Sequence, residues 1–179
     1  MAKNYGNKNE STYEELTGIN GTMPPQALDL EEAVLGALML EKDSIVTTQE
    51  FLSPSAFYKE AHQIIYAAIE ELSADLKPID LMTVSEKLRQ KKQLKLIGGA
   101  QYLASLTQKV ASASHLEYHA SIIAQKHVQR ELIRASTDIQ RRSYDESTDV
   151  TELIDFAESE IFKITESNIK RDVQTAKNV

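Results

Sequence analysis

"LKLIGGAQYLASL", residues Leu94 to Leu106, reads either as a nucleotide site or as a structural turn. An apolar run, two glycines and a helical stretch is the order in which a strand feeds a phosphate-binding turn. A phosphate loop needs several glycines, so that successive backbone N–H groups converge on the anion, and usually a lysine to meet its charge. Gly98 and Gly99 stand alone, and no Gly-Lys-Ser or Gly-Lys-Thr occurs anywhere in the chain. The alternation of Leu94, Lys95 and Leu96 is too short for a strand. The stretch therefore reads as a tight turn in which the glycines take positive φ, followed by a short buried helix from Ala100 to Leu106.

On either side the apolar spacing is helical as well. In "MPPQALDLEEAVLGALML", Pro24 and Pro25 precede Ala27, Leu30, Val34, Leu35, Leu38 and Met39 at steps of three and four, the mark of an amphipathic helix. Ile45 to Leu52 reads as a short helix, and "SPSAF" offers Ser53 as a cap with Pro54 at the first helical position. From Tyr58 onward, Ala61, Ile64, Ile65, Ala68, Ile69 and Leu72 keep the period until Pro78 breaks the chain. The next helix has two candidate starts, with Asp80 as its cap or with Thr83 and Glu86 as a capping box, and Leu81, Val84 and Leu88 face inward from either. It ends in the basic run Arg89, Lys91 and Lys92, which suits a helix C-terminus and also offers a phosphate patch.

After "VASASH", where Ser112 or Ser114 is a candidate cap, a helical pattern runs without Gly or Pro to about Arg142, on the order of 40 Å. "SYDESTD" turns the chain, and a second long helix spans about Val150 to Asn168. Val150, Ile154, Ala157, Ile161 and Ile164 step by four and three along it, and Val128, Leu132, Ala135 and Ile139 do the same on the first, which predicts an antiparallel helical hairpin with these residues as its seam. Leu153, Phe156 and Phe162 lie off that seam, and Ile133 lies beside it. The pair thus carries more apolar surface than one interface uses, and the remainder either docks on the rest of the fold or meets another chain.

The organisation that follows is all-α: a polar arm over 1–22, a globular helical bundle over 23–110, the hairpin over 111–168, and a polar segment over 169–179 that ends without a helix stop, as a chain cut within a linker would. With 41% hydrophobic residues the chain can bury a core. It has no Cys, hence no disulfide framework or thiolate metal site. "MAKNYGNKNE" lacks the apolar core of a secretory signal, and no run reaches membrane-spanning length, so a soluble cytoplasmic protein with no membrane partner is expected. The net charge of −7 disfavours non-specific DNA binding.

Candidate chemistry is sparse. His115 and His119 in "HLEYH" sit one turn apart with His127 two turns on, but Glu117 is misplaced for a zinc-protease helix and no third ligand is evident. No Gly-x-Ser-x-Gly occurs. Glu31 and Glu32, like Glu70 and Glu71, are adjacent on helices and diverge, which suits a solvated face better than acid-base catalysis. No catalytic, cofactor or metal residues are expected.

Six segments, in order, are "PPQALDLEEAVLGALML", "SAFYKEAHQIIYAAIEEL", "KPIDLMTVSEKLRQKKQL", "IGGAQYLASL", "YHASIIAQKHVQREL" and "DFAESEIFKITES". Together they resemble the N-terminal domain of the bacterial replicative DNA helicases of the DnaB family, over about Met23 to Ser167. The resemblance implies a collar domain of helical bundle plus hairpin, in which Gly98 and Gly99 form a structural turn. It implies pairing of hairpins between subunits, a hexamer built as a trimer of dimers, and recruitment of primase and of a loader. It also implies a continuation into a RecA-like motor that holds ATP and Mg2+ and contacts most of the DNA. The residues expected at oligomer or partner contacts are Ile133, Ile139, Leu153, Ile154, Phe156, Ile161 and Phe162 of the hairpin, with Tyr102 either at the collar surface or in the core with a bonded hydroxyl. Two other readings stay open: a nucleic-acid module using Lys87, Arg89, Lys91, Lys92 and Lys95, and a freestanding helical adaptor.

Overall fold

A computed structural model describes residues 21–41, 44–110 and 115–177, and of 167–177 the backbone only. The polar arm up to residue 20 and the candidate caps Ser112 and Ser114 lie outside the described residues. Seven α-helices and no strand are found among the described residues: α1 Leu28–Leu40, α2 Ser44–Thr48, α3 Glu60–Ala74, α4 Leu81–Gln90, α5 Gly99–Lys109, α6 Leu116–Ser143 and α7 Val150–Lys177. They form two compact units, one over Gln26–His127 and one over Val128–Asn168 with residues 21–25, and the division falls inside α6.

In the first unit α1 packs on α5 and α3, and α4 packs on α3 and α5. The core holds Val34, Leu35 and Leu38 of α1, Ile65, Tyr66 and Ile69 of α3, Val84 and Leu88 of α4, and Leu103 and Leu106 of α5. The glycine pair forms a turn: Gly98 and Gly99 have φ of 99° and 79°, Gly98 is the N-cap and α5 begins at Gly99. The closest approach is between α1 and α5. A Cβ on Gly36 would lie 2.3 Å from the Leu106 carbonyl oxygen and 2.5 Å from Val110 Cγ2, so the two backbones meet where only glycine fits.

Two boundaries differ from expectation for identifiable reasons. Pro54–Ala56 is a single 3-10 turn, not the start of a helix, and Ser53 makes no side-chain cap. The chain stays extended at Phe57 and Lys59 and the helix begins at Glu60. Just before that start the carboxylate of Glu31 takes the Tyr58 N–H at 2.7 Å and fixes the entering chain, while the helix itself has no side-chain cap. Helix α7 continues past Asn168 to Lys177. The choice of start for α4 is settled for Asp80, whose Oδ1 accepts from the Met82 and Thr83 N–H groups at 2.9 Å, while Thr83 Oγ1 accepts the Asp80 N–H.

Glu31 corrects a sequence expectation. It is 1% exposed, not on a solvated face. Its Oε2 lies 2.6 Å from Nδ1 of His62, which is fully buried, and His62 Nε2 lies 2.7 Å from the Tyr102 hydroxyl. His62 thus bridges the carboxylate and the hydroxyl through its two ring nitrogens, and the hydroxyl lies 3.4 Å from Glu32 Oε1. Lys59 Nζ donates to the same hydroxyl at 2.8 Å, and Lys109 pairs with Glu32. The Lys109 hydrogen bond holds the Glu32 carboxyl below the ordinary range. The network ties α1, α3 and α5 together at the crossing that Gly36 permits. Histidine at position 62 occupies a core slot, one turn before Ile65 and Tyr66, and that apolar register is the sequence signal that goes with its burial.

Three outcomes are expected of this unit. Gly36→Ala gains about 1 kcal/mol of helix propensity but clashes with a backbone oxygen that cannot yield. A net loss of about 1–3 kcal/mol in urea unfolding is expected, and an unchanged midpoint would show that the crossing relaxes. His62→Ala leaves a buried carboxylate short of a donor and should cost about 3 kcal/mol, against about 1 for Tyr102→Phe; equal losses would mean that the histidine is a space-filler. The Asp80 carboxyl is held low chiefly by the Thr83 N–H. Its folded-state value lies below the unfolded one, so the cap's stabilisation is complete above about pH 4 and lost as pH falls through the folded value. Asp80→Ala should therefore cost about 1 kcal/mol at pH 7 and less in acid, as a pH series of melts would read.

Candidate assembly and docking surface

The second unit is the hairpin. At its turn Asp145 Oδ1 accepts from Ser147 N–H and Oγ at 3.0 and 2.6 Å, and Asp149 Oδ1 caps α7 through the Thr151 N–H at 2.8 Å. These aspartates explain why "SYDESTD" reverses the chain without Gly or Pro. Arg142 lies over the Phe156 ring, 3.6 Å from its centroid, and fixes the two helices near the turn. Further along, Arg134 spreads its guanidinium over Glu131, Asp138 and Glu160, with Glu160 on the opposite helix at 3.1 Å. At the base, Arg130 donates to the Pro25 carbonyl at 2.8 Å.

The apolar seam read from the sequence is turned by about one residue. Glu160 is buried, with Lys163 and Arg134 on its two oxygens, and the Lys163 hydrogen bond leads in holding its carboxyl below the ordinary range. Ala135 and Ile164 are buried with it, and Leu153, Phe156 and Ala157 are half-buried. The packed row is therefore Leu153, Ala157, Glu160 and Ile164, and Val150, Ile154 and Ile161 of the expected seam are 68%, 54% and 43% exposed. The physical reason is the ion pair: once Arg134 and Glu160 join the helices, α7 is rotated to bring a carboxylate inward. An all-apolar heptad could not signal that.

The candidate contact residues divide accordingly. Ile154, Ile161 and Phe162 stand on the outside of α7, Phe162 at 65% exposure. Ile133, Ile139, Leu153 and Phe156 are half-buried within the hairpin unit. Tyr102 belongs to the other unit, half-buried, with its hydroxyl bonded as described. Leu132, placed in the seam by its spacing, is exposed.

Other candidate chemistry is tied up in structure. Lys87 and Lys91 pair with Glu71, and Arg89 with Glu86, so three of the five cations proposed for phosphate contact are already neutralised. The rings of His115 and His119 are 6.3 Å apart, and among the described residues no group of three His, Cys, Asp or Glu is placed to hold a metal ion. No described helix is long and apolar enough to cross a membrane.

Comparison with known proteins gives the same architecture a family. The family model described as the DnaB-like helicase N-terminal domain matches residues 23–125. The replicative DNA helicase DnaB of Rhodothermus marinus is 42% identical over 159 residues, covering 89% of this chain and 17% of that protein. The DnaB helicase of Geobacillus stearothermophilus is 38% identical over 144 residues, covering 80% and 32%. Among solved structures, the N-terminal domain of DnaB helicase from Mycobacterium tuberculosis aligns with a TM-score of 0.75 at 40% identity, over 79% of this chain and 99% of that one. A DnaB-like replicative helicase, described with its interactions with primase, aligns with a TM-score of 0.64 at 25% identity, over 77% of this chain and 31% of that one. The chain spans about a sixth to a third of the length of the curated relatives named here. With more than half of its residues matched by the family model and an all-helical fold shared with a solved member, the chain belongs to the DnaB-like helicase N-terminal domain family.

Proposed function

We propose that this chain is the collar domain of a replicative helicase: it pairs with further copies of itself through the hairpin, supports assembly of a hexamer as a trimer of dimers, and offers a docking surface to primase or a loader at the fork. ATP and Mg2+ binding, unwinding and most DNA contact are assigned to the remaining length that the relatives possess. The observation that carries the reading is the row Val150, Ile154 and Ile161, three large apolar side chains left in water along one side of a helix. Single exposed apolar residues are ordinary, but a row repeating at steps of four and seven is the pattern that a partner helix buries. The acidic balance and the neutralised Lys87, Arg89 and Lys91 support protein contacts over a grip on phosphate.

Light scattering coupled to size exclusion tests self-association. A dimer or larger species that dissociates on dilution is expected at micromolar concentration. Ile154→Asp and Ile161→Asp should each give a monomer of unchanged helicity, because about half of each side chain faces solvent within one copy, where a charge stays hydrated, and a charge buried in a pairing contact is expensive. A strict monomer for the parent chain, or an unchanged oligomer for both variants, would overturn pairing through this row. Addition of primase to the assembled species tests the docking half separately.

A further inference from the structure

The outside of α7 carries two surfaces, and the second has a different chemistry from the pairing row. At 100° per residue, Asp155 and Glu158 stand two turns and one turn before Phe162 on nearly the same line, so the exposed ring is flanked by carboxylates. Among the described residues neither carboxylate has an ion-pair partner. Each Lys and Arg of residues 128–166 is otherwise engaged: Arg134, Arg141 and Lys163 with carboxylates, Arg142 over Phe156, and Arg130 on Pro25. Residues 128–166 hold ten Asp and Glu against five Lys and Arg, so the unit cannot neutralise this face from within.

We infer that Phe162, Asp155 and Glu158 form a docking surface for a cationic amphipathic helix of a partner protein, one whose apolar row is flanked by arginines. A second copy of this chain is a poor occupant, because a like face would set its own Asp155 and Glu158 against these two with no free cation between them. An arginine fits both parts of the surface at once, its guanidinium stacking on the ring while its N–H groups reach the carboxylates. The hairpin already uses that pairing internally, where Arg142 covers Phe156. The inference rests on the partner-docking half of the proposed function. It adds the charge and shape of the partner and separates its surface from the pairing row, which lies along Val150, Ile154 and Ile161.

The test uses the 179-residue chain, 15N-labelled, and two synthetic helical peptides with the same leucine row, one flanked by arginines and one by glutamates. The arginine peptide is expected to shift the amides around Phe162 and to bind at least several-fold more weakly in 300 mM than in 50 mM NaCl. Asp155→Asn combined with Glu158→Gln should weaken it about fivefold to thirtyfold, while Glu146→Gln with Glu117→Gln, of equal charge change elsewhere, should leave it unchanged. The size-exclusion profile should be the same for all these proteins, so a loss of docking is distinguished from a loss of pairing. Equal binding of the glutamate peptide, equal weakening by the control pair, or shifts that avoid the Asp155–Phe162 region would each overturn the inference.

Discussion

The first unit depends on an absence of atoms. Helix α1 lies against α5 closely enough that a Cβ at Gly36 would sit inside the contact radius of the Leu106 carbonyl oxygen. Backbones so close bring Val34, Leu35 and Leu38 into contact with the layer that Leu103 and Leu106 provide, and dispersion falls steeply with any gap. They also set Glu31 and Glu32 where α5 presents Tyr102 and Lys109. A wider crossing would draw Tyr102 away from His62 and Lys109 away from Glu32, while Glu31 would keep its own partners, the Tyr58 N–H and His62 Nδ1. The apolar core and the polar network are thus two results of one helix crossing.

Much of this was legible in the sequence because the period of apolar residues is local information. The helices α1, α3 and α4, the glycine turn before α5, and the reversal of the chain between α6 and α7 all follow from spacing and turn chemistry. What was not legible depends on residues distant in the chain. Nothing near Ser53 reveals that Glu31, twenty-two positions earlier, will take the Tyr58 N–H and delay α3 to Glu60. Glu31 and Glu32 look alike in sequence, yet one is a core residue and the other pairs with Lys109, because their directions on α1 differ by 100° and α3 happens to lie on one side.

The hairpin shows the same limit. Two heptad registers run along α7, one apolar through Val150, Ile154 and Ile161 and one interrupted by Glu160. Hydrophobicity alone selects the first for the seam. The structure selects the second, because Arg134 and Lys163 together satisfy the carboxylate and the Arg134 fork spans both helices. A buried carboxylate held by part-exposed cations adds little net stability compared with apolar packing, but it is directional, and a polar group at a seam position penalises every register in which it loses its partner.

That choice of register has a functional consequence. If the apolar row had been the seam, α7 would present Glu160 outward beside the already exposed Lys163 and would bury Val150, Ile154 and Ile161. Placing Glu160 inside leaves those three outside, where water gains nothing by covering them. Under the proposed pairing, the hairpin's own packing uses Leu153, Ala157 and Ile164 while association would use Val150, Ile154 and Ile161, so one helix divides its apolar residues between two tasks. Its two outer strips, one apolar and one apolar with carboxylates in line, differ in charge, so under the same proposal different partners would cover them.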